Sequence, residues 1–153
     1  MSVVSIVGIS LVGYALFKLF IKPKEYTILS VVSGDAYIAS INQTSRINVL
    51  AKPELIKVRL YGARCPGLDQ DFGLEARSFV EELLLNRVVS LRKRGKDSFG
   101  IMQYSVTVDK RDVGSLLISN GLAFSESRIS VNQWIARIKR RGVWVKLFPD
   151  RPR

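Results

Sequence analysis

The sequence predicts an α+β domain in which five short strands form a closed barrel and about three helices accompany it. Segments that alternate apolar and polar residues between Gly, Asn, Asp or Pro indicate half-buried strands. The predicted strands are 26–32, 36–41, 55–61, 88–92 and 101–108, and the predicted helices are 72–85, 113–119 and 131–140. Five strands of this length suit a barrel of the OB type, because closure leaves no exposed sheet edge.

Turn and cap residues separate these elements. The residues at 33–35, Ser-Gly-Asp, form a turn sequence after the first strand. The basic stretch 93–100, which holds two glycines, predicts the turn between the last two strands. Asn120-Gly121 predicts the end of the second helix, since Gly favours the left-handed conformation that closes a helix.

The helix at 72–85 is predicted from an amphipathic pattern. Its charged residues lie largely on one side, and its apolar residues predict the side that packs on the barrel. That apolar side comprises Leu74, Phe79, Val80, Leu83 and Leu84.

The segment from Val3 to Ile21 predicts a membrane anchor. It has about 19 residues with one charge, Lys18, and a helix of this length just crosses a hydrocarbon core of about 30 Å. Lys22 and Lys24 follow it, and the positive-inside rule then places the rest of the chain on the cytoplasmic or matrix side. A cleaved signal peptide fits less well, because no basic region precedes the apolar run. A buried core helix would be apolar on one side rather than all round.

Composition limits the function classes. The chain has 153 residues, enough for one domain with a core, and a formal net charge of +11. This charge suits nucleic acid, anionic lipid or an acidic protein surface, or simply a basic surface in a basic compartment. Cys65 is the single cysteine, so no disulfide forms within the chain. The chain has no His, which excludes His-based metal sites and triads and leaves carboxylates as metal ligands.

The sequence divides into three parts. Residues 1–25 are the predicted transmembrane anchor and its basic flank, 26–144 the barrel domain, and 145–153 a basic tail with two prolines. No internal repeat or second domain is predicted.

Six motifs occur in order within the barrel domain and point to a known family. They are V-S-G-D at 32–35, V-R-L at 58–60, F-G-L-E-A at 72–76, S-F-G at 98–100, the segment 112–124 with G-L-A at 121–123, and the segment 137–144 that ends in Trp. Together they resemble the staphylococcal-nuclease-like domain family. The resemblance implies an OB-type barrel whose site, in the family, performs Ca²⁺-dependent nuclease chemistry.

The resemblance also implies where the site residues of the family would lie. In the family, two Asp carboxylates and a Thr carbonyl hold Ca²⁺, a Glu activates water, and two Arg side chains bind the phosphate. Asp35 falls on the first metal-binding Asp, and Arg59 falls on the first Arg. Arg59 can therefore pair with Asp35 or bind a phosphate.

The other positions of the family site are replaced. Arg64 stands at the second metal-binding Asp, Cys65 at the Thr, Gly67 at the Glu and Ile101 at the second Arg. The resemblance therefore implies a nuclease scaffold without catalytic residues, and we expect neither a metal nor a cofactor.

Nearby acids leave an alternative open. Asp69 and Asp71 lie just beyond Gly67, and a shifted loop would bring one of them to the site. Such acids are usually solvated turn residues, and Asp35 itself also fits a turn Asp that hydrogen-bonds its local backbone.

We therefore expect a non-catalytic, membrane-anchored domain that serves as an accessory subunit of a larger membrane protein complex. Its partners are then the membrane and the other subunits. The expected location is the mitochondrial inner membrane with the domain on the matrix side, although residues 1–17 lack the Arg-rich pattern of a transit peptide.

Nucleic-acid binding without cleavage is the alternative, and an active Ca²⁺-dependent nuclease is a third and less favoured one. OB barrels bind single strands through basic grooves and stacking aromatics. The candidate anion-binding residues are Arg92, Lys93, Arg94, Lys96, Arg137, Lys139, Arg140 and Arg141. The candidate stacking residues are Tyr37, Tyr61, Phe99 and Tyr104, which also fit the core or rim of a small barrel.

Overall fold

A computed structural model describes residues 25–41, 54–127 and 130–147 of the chain. The strands in these residues are β1 (Glu25–Ser33), β2 (Ala36–Ile41), β3 (Leu55–Leu60), β4 (Ala63–Arg64), β5 (Val88–Lys96), β6 (Met102–Val108), β7 (Arg111–Asp112) and β8 (Phe124–Ser125). The helices are α1 (Gly73–Leu84), α2 (Val113–Ser119), α3 (Val131–Ile138) and α4 (Val143–Leu147).

The five longer strands form a closed barrel. They follow the order β3-β2-β1-β5-β6, with antiparallel neighbours, and β7 continues from β6. A parallel pairing of β3 with β6, in which Arg59 lies opposite Gln103 and Leu60 opposite Tyr104, closes the barrel. The short strands β4 and β8 pair separately. The predicted five-stranded α+β barrel is therefore confirmed.

The hairpin between β5 and β6 differs from the prediction. Residues 93–96 continue β5 instead of starting a turn, because they pair with β6 out to Lys96 opposite Met102. The turn is shorter and is held by Asp97, whose Oδ1 accepts 2.9 Å hydrogen bonds from the backbone N–H groups of Phe99 and Ile101.

The helices also differ in part from the prediction. The described residues contain four helices rather than three, since Val143–Leu147 forms the short helix α4. In α1 the buried stripe runs through Ala76, Val80 and Leu84, which recur every four residues. Leu74 lies off this stripe and is 60% exposed, so its assignment to the packed side was wrong.

The main core fills the barrel and the space beneath α1 and α2. Its fully buried side chains include Ile28, Leu60, Val80, Val106 and Leu117. Tyr37 and Tyr104 also belong to this core, with exposed fractions of 1% and 7%. They are therefore packing residues and not stacking residues, whereas Tyr61 and Phe99 lie exposed.

A smaller cluster joins α3 and α4 to the rest of the domain. Ala136, Val143 and Trp144 are buried together, with Phe72 packed against them. The backbones of Gly121 and Gly142 lie so close that a Cβ on either would collide with the other segment. The N–H of Val143 donates to the Gly121 carbonyl at 2.9 Å, so α4 is fixed to the end of α2.

Within 25–41, 54–127 and 130–147, no helix has the length and apolar character needed to cross a membrane. The predicted anchor from Val3 to Ile21, its basic flank before Glu25 and residues 148–153 of the predicted tail lie outside these described residues.

Candidate functional site

The turn between β1 and β2 brings Asp35 beside Arg59 of β3. β2 pairs with β3 so that Ala36 lies opposite Arg59, and the N–H of Leu60 donates to the Asp35 carbonyl at 2.8 Å. Nη2 of Arg59 lies 3.3 Å from Oδ2 of Asp35. The Asp35 side chain is 8% exposed and that of Arg59 36%, so the carboxylate is inside and the cation reaches its edge.

Both oxygens of the Asp35 carboxylate have a partner. Oδ2 faces Arg59, and the hydroxyl of Ser33 donates to Oδ1 at 2.8 Å. A buried carboxylate is costly unless a cation and hydrogen bonds compensate it, and both are present here. We call this arrangement of Ser33, Asp35 and Arg59 the Asp35 site.

The floor of the Asp35 site is closely packed. A Cβ on Gly34 would lie 2.6 Å from the Cys65 sulfur and 2.9 Å from the Ala76 Cβ, so only Gly fits between the barrel and α1. The Tyr37 hydroxyl donates to the Gly34 carbonyl at 2.6 Å and so fixes the turn.

Burial keeps two acidic groups of this floor neutral. Burial, with the nearby Asp35 carboxylate adding to it, raises the pKa of the Cys65 thiol to about 12, although Arg59 acts in the opposite direction. Burial also raises the pKa of Tyr37 well above its ordinary value, with smaller contributions from Cys65 and Asp35. A protonated, buried thiol is a poor nucleophile, so Cys65 serves packing here.

Arg64 is directed toward a partner on the neighbouring strand. Its Nη2 lies 3.1 Å from Oε1 of Glu126, beside the pairing of β4 with β8. Its side chain is 60% exposed. Arg64, which the resemblance predicts at the second metal position of the family motif, therefore forms a surface ion pair.

Gly67 and Ile101, which the resemblance predicts at two further positions of the family site, lie at the surface. Gly67 starts a turn in which its N–H donates to Gln70 Oε1 at 2.9 Å. A Cβ at Gly67 would lie 2.6 Å from Asp69 Oδ1, so the Asp69 carboxylate occupies the space beside the Gly67 backbone. Ile101 ends the β5–β6 turn and is 47% exposed.

Among the described residues, Asp69 and Asp71 do not join Asp35 in a metal-binding group. Ca²⁺ takes six to eight oxygen ligands, commonly with several carboxylates among them. In the described parts of the chain no three His, Cys, Asp or Glu residues come together as a metal-binding group. Asp69 and Asp71 line a separate surface cavity of about 510 Å³ with Pro66, Phe72 and Phe124. The Asp35 carboxylate itself already holds Arg59.

The first predicted basic cluster lies along one strand. Arg92, Lys93, Arg94 and Lys96 are all exposed on β5. Arg94 donates to the Ser105 hydroxyl at 2.7 Å, and its guanidinium lies 5.6 Å from the centre of the Tyr61 ring. Two of the four predicted stacking aromatics therefore lie near this cluster. Tyr61 lies under Arg94, and Phe99 lies in the turn that follows β5, where it is 83% exposed.

The second predicted basic cluster lies at the end of α3. Arg137, Lys139, Arg140 and Arg141 are exposed there. Two of them also serve packing, since the Arg137 guanidinium lies 4.4 Å from the centre of the Trp144 ring and Arg141 donates to the Ser119 carbonyl at 3.1 Å.

One surface was missed by sequence reasoning. Val131, Trp134 and Ile138 of α3 are more than 60% exposed and share one side of the helix. Their spacing of three and four was the available signal, but such spacing normally indicates the side that packs on a core.

The comparisons with known proteins agree with this fold. The model of the family described as staphylococcal nuclease homologue matches residues 57–146, which is more than half of the chain. The chain belongs to this family. It is also 25% identical over 137 residues to an "uncharacterized endonuclease" from Haemophilus influenzae, covering 83% of this chain and 77% of that protein. The family predicted from the six motifs is therefore confirmed.

Proposed function

We propose that this chain is a non-catalytic member of the staphylococcal nuclease homologue family that serves as a membrane-anchored accessory subunit of a larger membrane protein complex. The observation that carries the proposal is the ion pair of the Asp35 site. Its carboxylate, the one match to the metal ligands of the family motif, is 3.3 Å from Arg59 and is also hydrogen-bonded to Ser33.

The replaced positions support the same conclusion. Arg64 holds Glu126, Gly67 has no side chain, and Ile101 ends a distant hairpin. Since these positions lie on two separate segments, 64–67 and the β5–β6 turn, a movement of one loop does not rebuild the site.

The membrane part of the proposal rests on the sequence. The apolar segment from Val3 to Ile21 has the length of a single span, and the basic flank after it favours the matrix or cytoplasmic side for the barrel. The mitochondrial inner membrane is the proposed location, since a strongly basic domain suits the matrix side.

The name of the Haemophilus influenzae relative does not argue for an active nuclease in this chain. That protein is itself called uncharacterized, and the two sequences agree at 25% of the aligned positions. The replaced positions of the present chain weigh more, because charge-stabilising groups carry much of the rate in phosphoryl transfer.

A cleavage assay tests the non-catalytic role. The full chain, purified in mild detergent, is incubated with single-stranded DNA or RNA with and without Ca²⁺, beside the variant Asp35→Asn. We expect no cleavage above that of the variant. Ca²⁺-dependent turnover that Asp35→Asn abolishes would overturn the proposal, whereas turnover insensitive to this change identifies a contaminating nuclease.

A size measurement tests the accessory role. The tagged chain is extracted from its native membranes in mild detergent and separated by native electrophoresis. We expect it to migrate in an assembly far larger than the 17.2 kDa chain in a detergent micelle. Migration of the whole population as a monomer would contradict the role as a subunit.

Binding of single-stranded nucleic acid without cleavage is the second candidate, favoured by Arg94 stacked over Tyr61 with Phe99 exposed nearby in the hairpin. In this case Lys93→Gln with Lys96→Gln weakens binding and lowers the slope of affinity against salt by roughly one per lost phosphate contact. Lys110→Gln, a cation in the turn before β7, is the matched control. No salt-dependent binding by the full chain removes this candidate.

A further inference from the structure

Helix α3 is oriented with its apolar side away from the domain. Val131, Trp134 and Ile138 are 68%, 64% and 61% exposed. They are separated by three and four positions, so they form one continuous stripe along the helix. We call this stripe the outer face of α3.

The side of α3 that packs on the domain is small and polar. Ala136 is the buried residue of the helix, whose eight residues are all described. Gln133 accepts a 2.7 Å hydrogen bond from the backbone N–H of Ser125. A helix at the surface of a soluble domain normally has the reverse arrangement, with its apolar side inward.

Fixed contacts hold α3 in this orientation. The Ser130 hydroxyl caps the helix by accepting from the Gln133 N–H at 3.3 Å. At the other end the Arg137 guanidinium lies over Trp144, whose ring is buried against Ala136. The outer face therefore cannot turn inward without breaking both ends of the packing.

The charge around α3 indicates what covers this face. In the sequence, residues 127–149 contain six Lys or Arg and no Asp or Glu. Among the described ones, Arg137 and Arg141 also contact the domain, and Lys139 and Arg140 are exposed at the end of α3. Trp and branched aliphatic side chains beside a group of cations are typical of helices that lie in the headgroup region of an anionic bilayer. A nucleic acid matches the cations but leaves three apolar side chains in water.

The position of the predicted anchor favours the same surface, and this step rests on the proposed function. The predicted span ends at Ile21 and β1 begins at Glu25. Four residue steps reach at most about 14 Å, so the barrel stays close to the bilayer. Tethering raises the effective concentration of the membrane at the domain, so that a contact made by one short helix suffices.

We propose that the outer face of α3 inserts into the headgroup region of the anionic bilayer that holds the anchor, with Lys139 and Arg140 facing lipid phosphates. The anchor and α3 then fix the barrel at two points, which sets its orientation on the membrane.

Tryptophan fluorescence tests the proposal on the full chain. The chain is placed in nanodiscs of phosphatidylcholine alone, or of phosphatidylcholine mixed with phosphatidylserine, with and without bromine-labelled acyl chains. Trp144 is 3% exposed and contributes a constant signal, so changes report Trp134, as the variant Trp134→Phe checks. We expect bromine quenching and a shift to shorter wavelength in the anionic discs, both weaker in the neutral ones.

Matched variants separate the apolar and the ionic parts of the contact. Val131→Ser with Ile138→Ser removes most of the quenching, whereas Leu74→Ser with Phe99→Ser, which changes two exposed apolar residues elsewhere, leaves it unchanged. Lys139→Gln and Arg140→Gln each lower the ratio of docked to undocked chain about fivefold in anionic discs. Circular dichroism checks that every variant is folded.

Two results would overturn the proposal. One is a folded chain whose Trp134 is not quenched in anionic discs. The other is a shift of Trp134 fluorescence that depends on protein concentration in detergent, together with a dimer that the double variant Val131→Ser with Ile138→Ser dissociates. This result would assign the outer face to contact with a second copy of the chain. Alkaline carbonate extraction tests the anchor separately. A chain that stays in the bilayer while Trp134 is unquenched contradicts the α3 contact alone. A chain that is extracted although its Trp134 was quenched contradicts the anchor alone.

Discussion

The Asp35 site and the outer face of α3 show opposite mismatches between side chain and environment. At the Asp35 site a carboxylate lies inside the domain, yet a cation and a hydroxyl within the same chain compensate it. On α3 three apolar side chains lie outside, and the described residues provide them no cover. In the first arrangement, both carboxylate oxygens have partners within the chain. The second lacks its contact partner within this part of the chain.

This difference indicates where the domain depends on its surroundings. Single exposed apolar residues are common on protein surfaces, whereas contiguous ones mark interaction sites. Leu74 and Phe99 belong to the first kind, and the outer face of α3 belongs to the second. We therefore expect substitutions at the Asp35 site to change stability, and substitutions on the outer face to change association.

The largest expected effect comes from the floor of the Asp35 site. Gly34→Val places carbon atoms against Cys65 and Ala76, and we expect the free energy of unfolding to fall by about 3 kcal/mol, as overpacking does. Urea unfolding of the full chain in mild detergent measures this change. Gly95→Ala is the matched control, because no atom lies within 4 Å of its added Cβ. Equal stability of the two variants would mean that the floor is loosely packed.

Removing the cation of the Asp35 site comes next. Arg59→Leu leaves the Asp35 carboxylate without its ion pair, and we expect a loss of about 2 kcal/mol, less than for a fully buried pair because Arg59 is partly exposed. The double variant Asp35→Asn with Arg59→Leu recovers part of this loss. Arg64→Leu breaks the exposed pair with Glu126 and costs less than about 1 kcal/mol. A larger effect at Arg64 than at Arg59 would contradict the comparison.

The pH dependence of stability checks the burial of Cys65. Its pKa rises from an ordinary value of 9.0 to about 12 on folding, so the unfolded chain loses this proton first. The contribution is fully present below pH 9 and is lost between pH 9 and pH 12, at up to about 1.4 kcal/mol per pH unit. Tyr37, whose pKa is also raised, acts in the same direction. Urea midpoints for the chain and for Cys65→Ala measure it, and a slope that is the same in both would exclude Cys65 as the source.

The smallest change in stability is expected on the outer face of α3. Without lipid, Val131→Ser with Ile138→Ser should alter the free energy of unfolding by less than about 0.5 kcal/mol per site, as exposed substitutions usually do. On the opposite side of the same helix, Ala136→Leu overpacks a buried position and costs about 1–3 kcal/mol. Thermal unfolding of the three proteins in detergent compares them, and a large loss from the serine variant would mean that the outer face packs within the domain.

The sequence determined the five long strands and the first three helices of the described residues. Alternating residues located the five long strands, and the Asn120-Gly121 cap placed the end of α2 correctly, because these signals are local properties of the backbone. The six motifs identified the family. The C-terminal end of β5 was missed, because its last residues adopt the strand conformation through their pairing with β6.

The tertiary structure alone decided which partner each residue has. The sequence left Arg59 with two roles and gave no partner to Arg64. Asp35 lies 24 positions from Arg59, and Glu126 lies 62 positions from Arg64. Each pair meets only after the barrel closes. It also could not place Tyr37 and Tyr104 inside and Tyr61 outside. For α3, the spacing of Val131, Trp134 and Ile138 was a signal for one apolar side of the helix, but it does not give the direction of that side. Direction depends on what the rest of the domain packs against the helix, and here the domain packs against Ala136 and Gln133.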